Sequence, residues 1–93
     1  MSEYKTYKIT LSGRVQGVGF RYFAEDRAQT FDVKGYVRNT PDNKVEVVCQ
    51  GECSRLELFI LEMKKGPAFA HVREVQIEEI PGSKLFDFFE VRY

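Results

Sequence analysis

The chain has 93 residues, 43% apolar and 30% charged, a length that fits one small domain with a single core and a composition ordinary for a folded soluble protein. Its 14 basic and 14 acidic side chains cancel, which weighs against any role that needs a broadly basic surface, such as non-specific nucleic-acid binding. A local positive pocket stays open, because field focusing depends on nearby groups.

Tyr7, Ile9 and Leu11 alternate with Lys8, Thr10 and Ser12, and this period of two predicts a half-buried first strand. Gly13-Arg14-Val15-Gln16-Gly17-Val18-Gly19-Phe20-Arg21 follows as a glycine-rich loop. Phe20, Phe23, Ala24, Ala28 and Phe31 then recur at helical spacing, predicting an amphipathic helix of about three turns. Gly35 lies just past it, where a helix end or turn often needs a permissive backbone. Tyr36 to Asn39 reads as a second strand, Thr40-Pro41-Asp42-Asn43 as a turn, and Val45, Val47 and Cys49 as one face of a third strand, together a hairpin. Gly51 ends that strand. Ser54-Arg55-Leu56-Glu57 has capping-box spacing, and Leu56, Phe59, Ile60 and Met63 form the stripe of a second helix. Lys64 and Lys65 suit its negative end and Gly66-Pro67 stop it. Val72 to Ile80 is a fourth strand, Pro81-Gly82-Ser83 a loop, and Phe86 to Tyr93 a strand-like tail. The order strand, helix, strand, strand, helix, strand is the split βαβ pattern. It implies an α+β domain over residues 1–93, an antiparallel sheet with both helices on one face, and a short extra C-terminal strand.

The glycine loop carries the chemistry. Glycine lets backbone approach a ligand closely, successive N–H groups make an anion-binding concavity, and a helix start adds a positive dipole end. The run from Gly13 to Arg21 can therefore offer several backbone donors to one phosphate, with Arg21 a planar clamp on its oxygens. Asn39 ends the second strand before Thr40-Pro41, a plausible ligand-facing place. Its amide both donates and accepts, so it can orient a water without removing a proton. A site without a general base suits a leaving group that needs no proton. A carboxyl phosphate supplies one, since it leaves as a carboxylate whose acid has a pKa of about 4. Positioning and charge stabilisation dominate phosphoryl transfer.

Other chemistries lack their parts. His71 is the only histidine and has no placed partner, no Walker-type phosphate loop is present, and no metal cluster reads from spacing. Cys49 and Cys53 are too few for a closed zinc site and read as reduced thiols, one in a strand and one at a turn. No apolar run approaches the roughly 18 residues of a membrane span, and Met1 to Lys5 has no signal-like stretch, so the expected location is cytoplasmic.

The run from Gly13 to Arg21 resembles the first signature of the acylphosphatases, G-x-V-Q-G-V-x-F-R. Gly35-Tyr36-Val37-Arg38-Asn39, with Val45 and Gly51 beyond, is similar to the second, and the likeness extends to Lys65-Gly66-Pro67 and Phe89 to Tyr93. The resemblance implies a ferredoxin-like sandwich and hydrolysis of acyl phosphates to a carboxylate and phosphate, with no cofactor and no metal. It gives Arg21 the substrate phosphate, Asn39 the attacking water, the loop from Val15 to Phe20 the backbone donors, and Thr40 a supporting place. Asn43 stands where the family usually has glycine, and asparagine visits the left-handed region more readily than most residues. The expected partner is a small acyl phosphate, with no nucleic acid, no membrane and a monomeric state. The same topology also serves RNA-binding domains, and Lys34-Gly35-Tyr36-Val37 begins like an RNA-binding signature, but Asn39 and Pro41 break it. A non-catalytic anion-binding module is a third possibility, against which the presence of both Arg21 and Asn39 speaks.

Overall fold

A computed structural model of the chain describes residues 3–82 and 84–93. Met1 and Ser2, and Ser83 at the end of the expected Pro81–Ser83 loop, lie outside the described residues. The elements are β1 (Tyr4–Arg14), α1 (Phe20–Phe31), β2 (Lys34–Asn39), β3 (Val45–Glu52), α2 (Cys53–Lys65), β4 (His71–Glu79) and β5 (Phe89–Arg92). They form one sheet in the order β4-β1-β3-β2-β5 with two helices packed on it, the expected α+β, ferredoxin-like arrangement.

The period-two patterns decide which side chains enter the core. Ile9 and Leu11 of β1, Val37 of β2 and Val45, Val47 and Cys49 of β3 are fully enclosed. The helical stripes meet them: Phe20, Ala24 and Ala28 from α1, Leu56, Phe59 and Met63 from α2. Each large side chain so enclosed contributes about 1.5–3 kcal/mol of hydrophobic stabilisation. Burial pushes the Cys49 thiol up to about 12, which leaves it unreactive at neutral pH. Both cysteines are free thiols.

The four long strands pair antiparallel as expected, but β5 runs parallel to β2 and makes the sheet mixed. Because β4 and β5 occupy opposite edges, the chain between them must cross the sheet. It crosses the helix-free face, where Gln50 fastens it. The Gln50 side chain accepts from the Phe86 N–H at 2.8 Å and donates to the Lys84 carbonyl at 3.0 Å and the Thr6 hydroxyl at 2.9 Å. Phe86 packs edge-on against Tyr36, centroids 6.4 Å apart. On the same face Glu46 is held by two bonds from Arg38, at 3.0 and 3.2 Å, and one from the Tyr36 hydroxyl at 2.9 Å.

Local expectations are corrected at the start of α2 and at Gly35. The Ser54 capping box does not form. β3 continues through Gly51 to Glu52, the Cys53 N–H donates to the Glu3 carbonyl at 2.8 Å, and the helix has already begun at Cys53. Ser54 instead bonds the Glu52 carboxylate, and Glu52 at the N-cap position makes no side-chain cap. Cys53 thus opens a helix rather than sitting in a turn.

Gly35 does not terminate α1 either, since Asp32 takes the left-handed position there (φ 57°). Gly35 lies inside β2 at φ 134°, and a Cβ on it would stand 1.9 Å from the Val48 carbonyl oxygen. Gly35→Ala therefore combines a backbone region closed to alanine with a backbone clash. It is expected to cost at least about 3 kcal/mol, read as a fall in the urea midpoint. A midpoint like the parent's would mean that β2 and β3 can part there.

Candidate active site

The loop after β1 is pinned at both ends by buried side chains, Val15 and Phe20. The backbone between them must therefore bulge outward, and two glycines allow it: Gly17 (φ 73°) and Gly19 (φ 78°) are both left-handed. A Cβ at either would meet no atom within 4 Å, so both face open space. That space is a cavity of about 170 Å³ lined by Val15, Gly17, Gly19, Phe20, Arg21, Tyr22 and Asn39.

Gly19 is the N-cap of α1, and the helix start has no capping side chain and no acidic residue in its first turn. Its first amides are those that no helix can satisfy internally. Among the described residues no backbone carbonyl takes the N–H of residues 16–22. With no carboxylate lining it, the cavity is electropositive through backbone dipoles and one guanidinium.

Arg21 spends little of its hydrogen-bonding capacity on the protein. One Nη1 contact reaches the Arg92 carbonyl at 3.5 Å, and the guanidinium lies over the Tyr93 ring, 4.6 Å from its centroid. Most of its five donors are left for a ligand. Asn39, the last residue of β2, brings its amide to the same cavity. No group among the described residues hydrogen-bonds that amide.

The predicted residues are thus brought together, with two qualifications of place. Gln16 and Val18 belong to the loop but do not line the cavity wall, and Thr40, the residue after Asn39, is likewise outside the lining. The Thr40 hydroxyl accepts from the Lys44 N–H at 3.0 Å and pairs with the Asp42 carboxylate, which it holds below the usual carboxylate range. Asn43 adopts the left-handed backbone (φ 66°) that the turn needs.

Sequence reasoning missed two side chains. Gln16 was expected to act through its backbone. Its side-chain Nε2 donates to the Thr40 carbonyl at 2.9 Å and to the Lys44 carbonyl at 2.8 Å, tying the glycine loop to the hairpin that carries Asn39. Tyr22 lines the cavity mouth, and only its position one residue after Arg21 could have pointed to it. Arg38 is engaged with Glu46 on the opposite face, as strand alternation requires. Arg14 and His71 pair in register at the end of β1 and β4, outside the cavity lining. Among the described residues no cluster of three or more His, Cys, Asp or Glu could hold a metal ion, and no helix is long and apolar enough to cross a membrane.

A family model described as Acylphosphatase matches residues 7–91. The chain is 42% identical over 86 residues to the acylphosphatase of Archaeoglobus fulgidus, covering 92% of this chain and 96% of that one. It is 41% identical over 90 residues to that of Lactobacillus johnsonii, with 96% and 99% covered. Of solved structures, the acylphosphatase from Bacillus subtilis superposes with a TM-score of 0.92 at 34% identity, covering 96% of this chain and 99% of that chain. Full-length HypF, in its phosphate- and nucleotide-bound form, matches with a TM-score of 0.91 at 31% identity, over 100% of this chain and 12% of its own.

Proposed function

The chain belongs to the acylphosphatase family, a family of acyl phosphate hydrolases, and from that premise we propose that the cavity between β1, α1 and β2 is its phosphoryl site. The loop amides from Val15 to Phe20 cradle the phosphate oxygens and Arg21 clamps them. Asn39 holds a water in line with phosphorus, and Thr40 keeps the strand end that carries it in place. The water oxygen bonds to phosphorus, the bond from phosphorus to the acyl oxygen breaks, and the electron pair leaves with the carboxylate. The water's protons pass to the phosphate product and to solvent, so no side chain has to take one.

The observation that carries this reading is the chemistry of the lining. It offers uncommitted N–H groups, one guanidinium and one free amide, and no carboxylate, imidazole or amine that could serve as a base. Such a site stabilises charge and positions water, which is enough for a carboxylate leaving group and too little for an alkoxide. We read residues 1–93 as one domain that acts as a monomer in the cytoplasm, on small acyl phosphates and without metal.

Phosphate release tests the reaction class. With EDTA present, benzoyl phosphate is expected to turn over at least about 10³-fold faster than p-nitrophenyl phosphate. Comparable rates on the two, or activity lost to EDTA and restored by a divalent ion, would remove the scheme.

A further inference from the structure

Phosphate chemistry leaves one large side chain at the cavity mouth unexplained. Tyr22 lines the cavity and yet is 69% exposed. Tyr93 is 91% exposed, with its ring against the Arg21 guanidinium at 4.6 Å. The two rings thus flank Arg21, Tyr22 as its chain neighbour on the cavity lining and Tyr93 through its ring contact with the guanidinium. Neither ring belongs to the core. Two large exposed rings beside one opening form a patch of the kind that marks a binding surface.

The size of the cavity says what that surface meets. At about 170 Å³ it is smaller than the roughly 300 Å³ at which pockets for drug-sized ligands begin. With a phosphoryl group and a water inside, the cavity has room for a short acyl part but not for an aromatic ring, which must lie at the mouth. The loop glycines offer such a ring no side chain, and Val15 and Phe20 are turned into the core. The tyrosine pair is the apolar area left within reach.

We propose that Tyr22 and Tyr93 form a platform for the acyl group, so that acyl phosphates with a flat aromatic acyl part are favoured over short aliphatic ones. This rests on the cavity being the phosphoryl site. The platform acts on binding and leaves the bond changes as they are: benzoyl phosphate and water give benzoate and inorganic phosphate. A ring face takes an aromatic acyl group by offset or edge-on stacking, an interaction a methyl group cannot match in area.

The test compares kcat/KM for benzoyl phosphate and acetyl phosphate in the parent, Tyr22→Ala and Tyr22→Phe, with inorganic phosphate as a competitive inhibitor. In Tyr22→Ala the benzoyl-to-acetyl ratio is expected to fall about five- to tenfold, mostly through KM for benzoyl phosphate. Tyr22→Phe keeps the ring face and should hold the ratio within about twofold. The inhibition constant of phosphate should stay close to the parent's in both, since the platform lies outside the phosphoryl site. An unchanged ratio in Tyr22→Ala overturns the platform, and so does a ratio lost equally in Tyr22→Phe, which would assign the effect to the hydroxyl. A parent that cleaves neither substrate would instead overturn the phosphoryl site itself. A parent that cleaves both, with a ratio indifferent to Tyr22, removes the platform alone.

Discussion

Arg21→Ala is expected to lower kcat/KM for benzoyl phosphate by about 10³-fold or more, and to weaken inhibition by inorganic phosphate along with it. A thousandfold loss corresponds to about 4 kcal/mol of transition-state stabilisation. That is the scale of a charge-assisted fork on a group whose negative charge is spread over three oxygens. The backbone amides carry only partial charges, and no second cation lines the cavity, so nothing substitutes for the guanidinium. The fold should barely notice. Arg21 makes one 3.5 Å contact with a carbonyl and one stacking contact with an exposed ring, worth together about 1–2 kcal/mol at most. Activity and thermal midpoint should therefore separate cleanly. Arg21→Lys restores the charge without the planar fork and should recover only part of the loss. If phosphate inhibited Arg21→Ala as well as it inhibits the parent, the clamp would have to be sought elsewhere.

The contrast between what local sequence encodes and what it does not is visible at particular residues. The strand and helix order follows from apolar period, because each element had to bury one face, and Ile9, Leu11, Phe20 and Phe59 are where that rule puts them. The left-handed loop glycines and Asn43 were legible for the same kind of reason, since few residue types tolerate those dihedrals. The misreadings share a different cause. Ser54 has the local spacing of a cap, but a strand pairing with the segment near Glu3 decides where α2 begins. Gly35 is required by a carbonyl that belongs to Val48 on the next strand. The parallel docking of β5 depends on Gln50 gripping a segment 34 and 36 residues away. Gln16 reaches carbonyls 24 and 28 residues ahead, which no period in the sequence announces. The site follows the same division. The loop that lines it is local backbone, and its left-handed turns could be read from the glycines. Its coherence is tertiary, because Arg21 and Asn39 share a cavity only when β2 lies beside α1 with the glycine loop tied to the turn after it.

Asn39→Ala is expected to lower kcat by about 10²–10³-fold while inorganic phosphate still inhibits within about twofold of the parent. The argument rests on what the amide is free to do. Asn39 closes β2 through its backbone pairing with Val45, and the turn behind it is held by Thr40 and by Gln16. Truncating the side chain therefore leaves both the hairpin and the cradle in place. What is lost is the donor and acceptor pair that fixes the direction of a water's lone pair, an entropic and geometric contribution that appears in kcat. The sharper comparison is Asn39→Asp, nearly the same shape with a charge in place of the N–H₂. If the reaction needed a base at this position, the carboxylate would supply one and activity would survive or rise. If the amide only orients water, the carboxylate would lose a donor and set a negative charge against the incoming phosphate. Turnover and phosphate inhibition should then fall together in Asn39→Asp, where Asn39→Ala loses turnover alone. A pH–rate profile for Asn39→Asp that rises with ionisation of the new carboxylate would mean that proton removal limits this enzyme, and the leaving-group argument that singled out acyl phosphates would lose its footing.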